Sequence, residues 1–173
     1  MQLDFEIDKF THSLEDAATG NILLSDVVSL EKEDLKVLSK KSGWLFNWKN
    51  DFCSSDKQVY KLILQDQSTI IQGLISLSIQ RDHIFMNLIE TAPHNYGQCK
   101  KYYGVMGNLV AFGCKLSFEK GFEGCVAFIA KTKLIPHYQK VLGAELLWGQ
   151  RMVIETEAST NLIKKYYPEY FDK

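Results

Sequence analysis

Gly104 and Gly107 bracket Val105 and Met106 directly ahead of an amphipathic run, and Tyr138 sits on the next helical run along the chain. A glycine turn that opens a helix brings main-chain N–H groups together, and the positive end of the helix favours an anion there. The pattern predicts a pocket for a phosphorylated cofactor, its pyrophosphate resting on residues 104–108. Two glycines near a helix start also read as plain punctuation. A side chain at Gly104 is expected to block the approach of a phosphate while leaving the fold nearly intact. The Tyr138 phenol can protonate a leaving thiolate; beside Leu134 and Ile135 it can equally be a half-buried packing residue. Glu90 ends the strand that feeds the glycine loop, as a general base or as a solvated strand terminus. His94 can relay a proton or lie on a surface loop. His94 and His137 lack a third ligand, so no metal is expected. No Walker A sequence, dinucleotide fingerprint or nucleophile elbow occurs.

The elements that must position these residues follow from periodicity. Residues 59–64, 70–79 and 84–89 read as strands, with Gln65–Ser68 and Arg81-Asp82 as turns and Gly73 as a possible bulge. Connections this short imply an antiparallel meander. Residues 91–103 form a polar loop. A helix over 108–120 buries Leu109, Phe112 and Leu116, and Gly121 ends it. A buried strand over 125–130, a helix over 134–142, a strand over 151–155 and a helix over 158–167 complete the chain. Ahead of the meander, 29–41 reads as a helix capped by Ser29 and packed through Leu35 and Leu38. Residues 44–56 read as an aromatic loop or short helix. Trp44, Phe46, Trp48 and Phe52 within them shape an acceptor pocket or form a lid over the sheet.

The bulk properties narrow the function classes. The 173 residues suggest one domain, 1–173, able to bury a substantial core. A net charge of −1 gives no pull toward nucleic acid or an anionic membrane. No run approaches the ~20 apolar residues that span a bilayer. The first residues lack the basic and apolar regions of a signal peptide. Cys53, Cys99, Cys114 and Cys125 contain no Cys-x-x-Cys pair and read as reduced thiols of a cytoplasmic protein.

The element order over residues 59–156 resembles the GNAT family of N-acetyltransferases. Its acetyl-CoA signature is Arg/Gln-x-x-Gly-x-Gly/Ala at a helix start; here Lys101-Tyr102-Tyr103-Gly104-Val105-Met106 stands in that place, followed by Gly107. Lys101 replaces Arg or Gln, and Met106 replaces the small residue. Lys131 holds the place of a frequent Asn, Tyr138 matches the tyrosine seven residues on, and Leu142-Gly143-Ala144 resembles the closing Gly-Phe element. The resemblance implies an α+β fold, a mostly antiparallel central sheet with splayed strands flanked by helices. It implies acetyl-CoA as cosubstrate and a primary amine as acceptor. Leu88, Ile89, Lys101, Tyr103, Gly104, Val105, Met106, Gly107, Asn108 and Lys131 would then hold the cofactor. Tyr138 would be the general acid and Glu90 the base. A non-catalytic acyl-CoA-binding or protein-interaction module of the same fold, and a toxin acting on aminoacyl-tRNA, stay open as alternatives.

Overall fold

A computed structural model describes residues 2–11 and 13–172. The meander forms as the periodicity predicts. Strands β4 (Gln58–Leu64), β5 (Gln67–Ile79) and β6 (Ile84–Thr91) pair antiparallel in sequence. Alternation sends Ile75, Leu77, Met86 and Ile89 to one core, and Leu74 and Leu88 to another. The first core is shared with the helices α2 (Val105–Glu119), α3 (Ile135–Leu142) and α4 (Thr156–Tyr166). The second lies under Trp44 and Trp48, the latter on the short helix α1 (Trp48–Cys53).

The full sheet has seven strands. In spatial order they are β3 (Ser25–Ser29), β4, β5, β6, β8 (Val126–Ile129), β10 (Arg151–Ile154) and β9 (Glu145–Trp148). All neighbours run antiparallel except β6 and β8. A smaller sheet of β2 (Ile22–Leu23), β1 (Leu14–Asp16) and β7 (Tyr102–Tyr103) stands beside the start of α2. The α+β architecture expected from the resemblance is therefore present.

The parallel pair is where the sheet divides. β6 and β8 are in register only at Ile84↔Val126 and Phe85↔Ala127. Directly afterwards the β5–β6 register shifts between Ser76 and Leu77, which leaves Asn87 as an extra residue. Its Nδ2 donates to Ser78 Oγ at 2.9 Å. A bulge bends its strand and increases the local twist. Beyond it β6 follows β5 to Thr91 while β8 follows β10, and the two strands splay apart.

One expectation needs correction. Residues 29–41 are not one helix: Ser29 ends β3, and two short 3₁₀ turns follow, Lys32–Val37 and Lys40–Ser42. Leu30 is buried in the second core, the two turns themselves add only the partly buried Leu35 and Leu38, and Asp34 and Ser39 each close a separate local cap. Too little apolar surface is buried to sustain a longer helix. Strands β3 and β9 are additional to the elements that periodicity predicts. Both are short edge strands without a buried face, so neither shows the alternation that reveals a strand.

Candidate active site

The Gly104 turn has the geometry its sequence predicts. Gly104 is the N-cap of α2 with φ +94°, a left-handed conformation that favours glycine. The Asn108 side chain fastens the turn, its Nδ2 donating to Gly104 O at 2.7 Å and Ser13 O at 2.6 Å. Val105, Met106 and Gly107 occupy the first helical turn, where N–H groups have no intrahelical acceptor. Gly73 on β5 lets this end of α2 sit close to the sheet; a Cβ there would lie 2.5 Å from Val105 Cγ1.

An anion already tests this turn. The Gly104 amide donates to Asp8 Oδ1 at 3.2 Å, and Lys100 Nζ meets Asp8 Oδ2 at 2.9 Å. The site suits a phosphate by the same chemistry: a main-chain amide, a helix N-terminus and a nearby ammonium. Lys101 sits beside it with its Nζ 5.5 Å from the Tyr102 ring, and the Tyr103 ring faces Lys100 at 5.5 Å. Gly107 differs from the expectation. Its Cα faces α4, where an added Cβ would run into the Tyr166 hydroxyl, so this glycine serves helix packing. The Gly104 expectation also needs correction. A Cβ there would lie 2.5 Å from Thr11 Cγ2, so a side chain disturbs the fold as well as the anion site.

Tyr138 lies on the other wall of the gap. Its ring packs edge-on against Phe128 of β8, centroids 5.4 Å apart. The hydroxyl donates to Phe5 O at 2.6 Å and accepts from Phe5 N at 3.2 Å. Burial first, with the nearby Asp4 and Glu6 charges adding to it, pushes the phenol up to about 12. It holds its proton throughout the neutral range. Lys131 ends the strand side of this wall, its Nζ paired with Asp4 and its amide donating to Leu3 O at 3.0 Å.

Glu90 has a different setting from the one expected. It is 2% exposed, and its carboxylate accepts from Leu45 N at 2.7 Å, Phe46 N at 3.3 Å and Trp48 Nε1 at 2.8 Å. Three of the roughly four acceptor directions of a carboxylate are thus engaged. Burial raises its pKa, and the three donors act against that rise. Leu88 and Ile89 lie buried two and one positions before it, on the part of β6 that leaves β8. His94 Nε2 is 2.7 Å from Gln72 Oε1, and burial followed by the Lys101 charge lowers its pKa.

The site also contains what the sequence did not reveal. Residues 3–8 run through the gap between the splayed strands. Leu3 forms a parallel bridge with Ala130, and its amide donates to Ile129 O at 2.6 Å. Ile7 N donates to His137 Nε2 at 2.9 Å. Phe5 lies edge-on to Phe46 and Tyr96. The alternation Leu3, Phe5, Ile7 was a visible strand-like signal, but nothing in it named β8 as the partner. What remains open is a cleft of about 310 Å³ bounded by Phe5, Asp8, Thr91, Tyr96, Lys100 and Met106. A larger cleft of about 760 Å³ lies at the far end of β8, among Asp82, Cys125, Gly143 and Glu155; it touches neither Tyr138 nor the Gly104 turn.

Comparison of the whole architecture is decisive for the fold. A chimera of the spermidine N-acetyltransferase SpeG from Vibrio cholerae and hSSAT superposes with a TM-score of 0.56, at 14% identity, covering 79% of this chain and 99% of that one. AtaTR bound with AcCoA superposes at 0.55, also 14% identical, over 80% of this chain and 98% of that one. The fold is that of the GNAT acetyltransferases. The KacTA–DNA complex matches as well, with a TM-score of 0.52, 13% identity and coverage of 82% and 99%. No protein-family model matches the sequence, and no curated protein matches it either. Among the described residues, no helix of this GNAT fold is long and apolar enough to cross a membrane.

Proposed function

We propose that this protein transfers an acetyl group from acetyl-CoA to a primary amine, as a GNAT-type acyltransferase working in the cytoplasm. One observation carries the reading: the splay of β6 from β8 opens between an anion-holding helix start at Gly104 and a protonated phenol at Tyr138. Neighbouring structures that include a spermidine N-acetyltransferase and an AcCoA-bound protein support it.

Each residue then has a defined task. The main chain at Leu88 and Ile89 binds along the gap. The turn from Tyr103 to Asn108, with Lys101, binds the anionic end of the cofactor through N–H groups and the helix terminus. Lys131 adds a cation at the opposite rim. Acetyl-CoA supplies the acyl group and a thiolate leaving group. Tyr138 Oη, protonated at neutral pH, gives its proton to the departing thiolate, and the proton released by the acylated amine restores the phenol. Glu90 acts by position: it fixes 45–48, and so Phe46, whose ring packs edge-on to Phe5 beside the gap. Holding both partners side by side supplies the proximity advantage.

A second reading, a non-catalytic module of the same fold, is favoured by residues 3–8, which bond to Tyr138 and to the Gly104 amide. One assay decides between them. Acetyl-CoA is incubated with pools of polyamines, peptides and aminoacyl-tRNA, and release of free CoA thiol is followed. Thiol release that requires one pool supports the transferase. Binding of CoA without release in any pool supports the module.

A further inference from the structure

The groups assigned above to acetyl-CoA are the groups that residues 3–8 hold. The Gly104 amide and Lys100 hold the Asp8 carboxylate. Lys131 and Lys133 hold the Asp4 carboxylate, and these ammonium groups keep its pKa below the usual range. Tyr138 bonds both main-chain groups of Phe5, and β8 pairs with Leu3 through Ile129 O and the Lys131 amide. The segment is an extended backbone laid beside a strand edge, with a carboxylate near each end. It satisfies the splayed strand as an added strand does in peptide recognition.

We propose that residues 3–8 form an autoinhibitory strap, a cis-acting competitor that must leave the gap before acetyl-CoA can enter. The inference rests on the acetyl-CoA reading of this gap. Overlap is forced by shared atoms: one amide at Gly104, one hydroxyl at Tyr138 and one strand edge at β8 cannot serve two occupants. The strap is held in a form suited to release. It makes a single β-bridge, Leu3 with Ala130, rather than a ladder. Its residues Glu6 and Asp8 are exposed. Its connection to β1 passes through Ser13, whose φ of +60° is one that residues with a side chain rarely adopt. Against release stands the burial of Leu3 and Ile7, 3% and 7% exposed, which keeps the closed state dominant. Apparent affinity for the cofactor is then the intrinsic affinity reduced by the open fraction.

The test compares the parent with Asp4→Asn/Asp8→Asn, which frees both anchors, with Leu3→Asp, which makes the buried anchor charged, and with Glu6→Gln, which changes charge on an exposed residue of the strap. Circular dichroism confirms that each is folded. CoA affinity is measured by calorimetry, and amide hydrogen exchange is followed with and without CoA. The expected result is about tenfold tighter CoA binding for the double variant, a change equivalent to ~1.4 kcal/mol, with Leu3→Asp changing in the same direction and Glu6→Gln near the parent. CoA should also speed exchange at the Leu3, Phe5 and Ile7 amides while slowing it at 104–108. If the parent binds CoA with those strap amides still protected, or the double variant binds no tighter, the strap is not a competitor, although the cofactor reading stands. If folded variants with freely exchanging strap amides bind no CoA at millimolar concentration, the cofactor reading fails and the competition falls with it.

Discussion

The Tyr138 hydroxyl sits 2.6 Å from the Phe5 carbonyl oxygen and donates to it. The pairing makes Tyr138 at once a catalytic candidate and a latch, and Tyr138→Phe separates the two. The ring keeps its contact with Phe128. Loss of the hydrogen bond should lower stability by about 0.5–1.5 kcal/mol. Acetyl transfer should fall by ~10²–10⁴-fold because the thiolate must take its proton from water. Denaturant unfolding and kcat measure the two effects. A variant that turns over at the parent rate would make Tyr138 a packing and latching residue only.

Burial of the same phenol gives a pH dependence. Its folded-state pKa of about 12 lies above the ~10 of an exposed tyrosine. Between the two values the folded protein keeps a proton that the unfolded chain has lost. The stability tied to this group is complete below pH ~10 and declines as pH rises through the folded pKa. Tyr166 and Tyr167 are shifted upward by burial as well, so Tyr138→Phe should lessen the alkaline decline without abolishing it. Urea midpoints across this range, parent against variant, provide the comparison.

Gly104→Ala should weaken both fold and site. The left-handed backbone and the Thr11 methyl 2.5 Å from the new Cβ act together, and a strained conformation of this kind costs about 1–3 kcal/mol. Thermal unfolding reads the loss. CoA binding, measured on the folded fraction, should fall as well. Unchanged stability would contradict the turn geometry.

Glu90→Gln distinguishes anchor from base. An amide oxygen can still accept, but its NH₂ faces donors where an oxygen stood, so one or more of Leu45 N, Phe46 N and Trp48 Nε1 goes unpaired. An unsatisfied buried group costs about 1–3 kcal/mol. Trp48 fluorescence should shift and the unfolding midpoint should drop. Unchanged stability and fluorescence with lost turnover would restore Glu90 as the base.

What the sequence disclosed follows from the range of its signals. The meander was legible because alternation and short turns are local, and Gly104 because a glycine before an apolar-periodic run marks a helix start. Tyr138 stood out as a candidate through its place on the helix after the 125–130 strand and through the family resemblance. The partners of Glu90 were not legible, since the three donors come from 45–48, far back in the chain. The strap was hidden for the same reason: its contacts to Ile129, His137 and Tyr138 are all long-range. Gly107 looked like Gly104 in sequence, yet its position against Tyr166 depends on how α4 packs.

The central claim is that the gap between β6 and β8 holds acetyl-CoA. Titrating isotope-labelled protein, parent and Asp4→Asn/Asp8→Asn alike, with acetyl-CoA while recording amide resonances tests it most directly. The account predicts saturable shifts at Leu88, Ile89, Gly104–Asn108 and Lys131, with the residues of the far cleft around Glu155 undisturbed. Resonances that stay in place throughout the gap at millimolar acetyl-CoA, in both proteins, would contradict it.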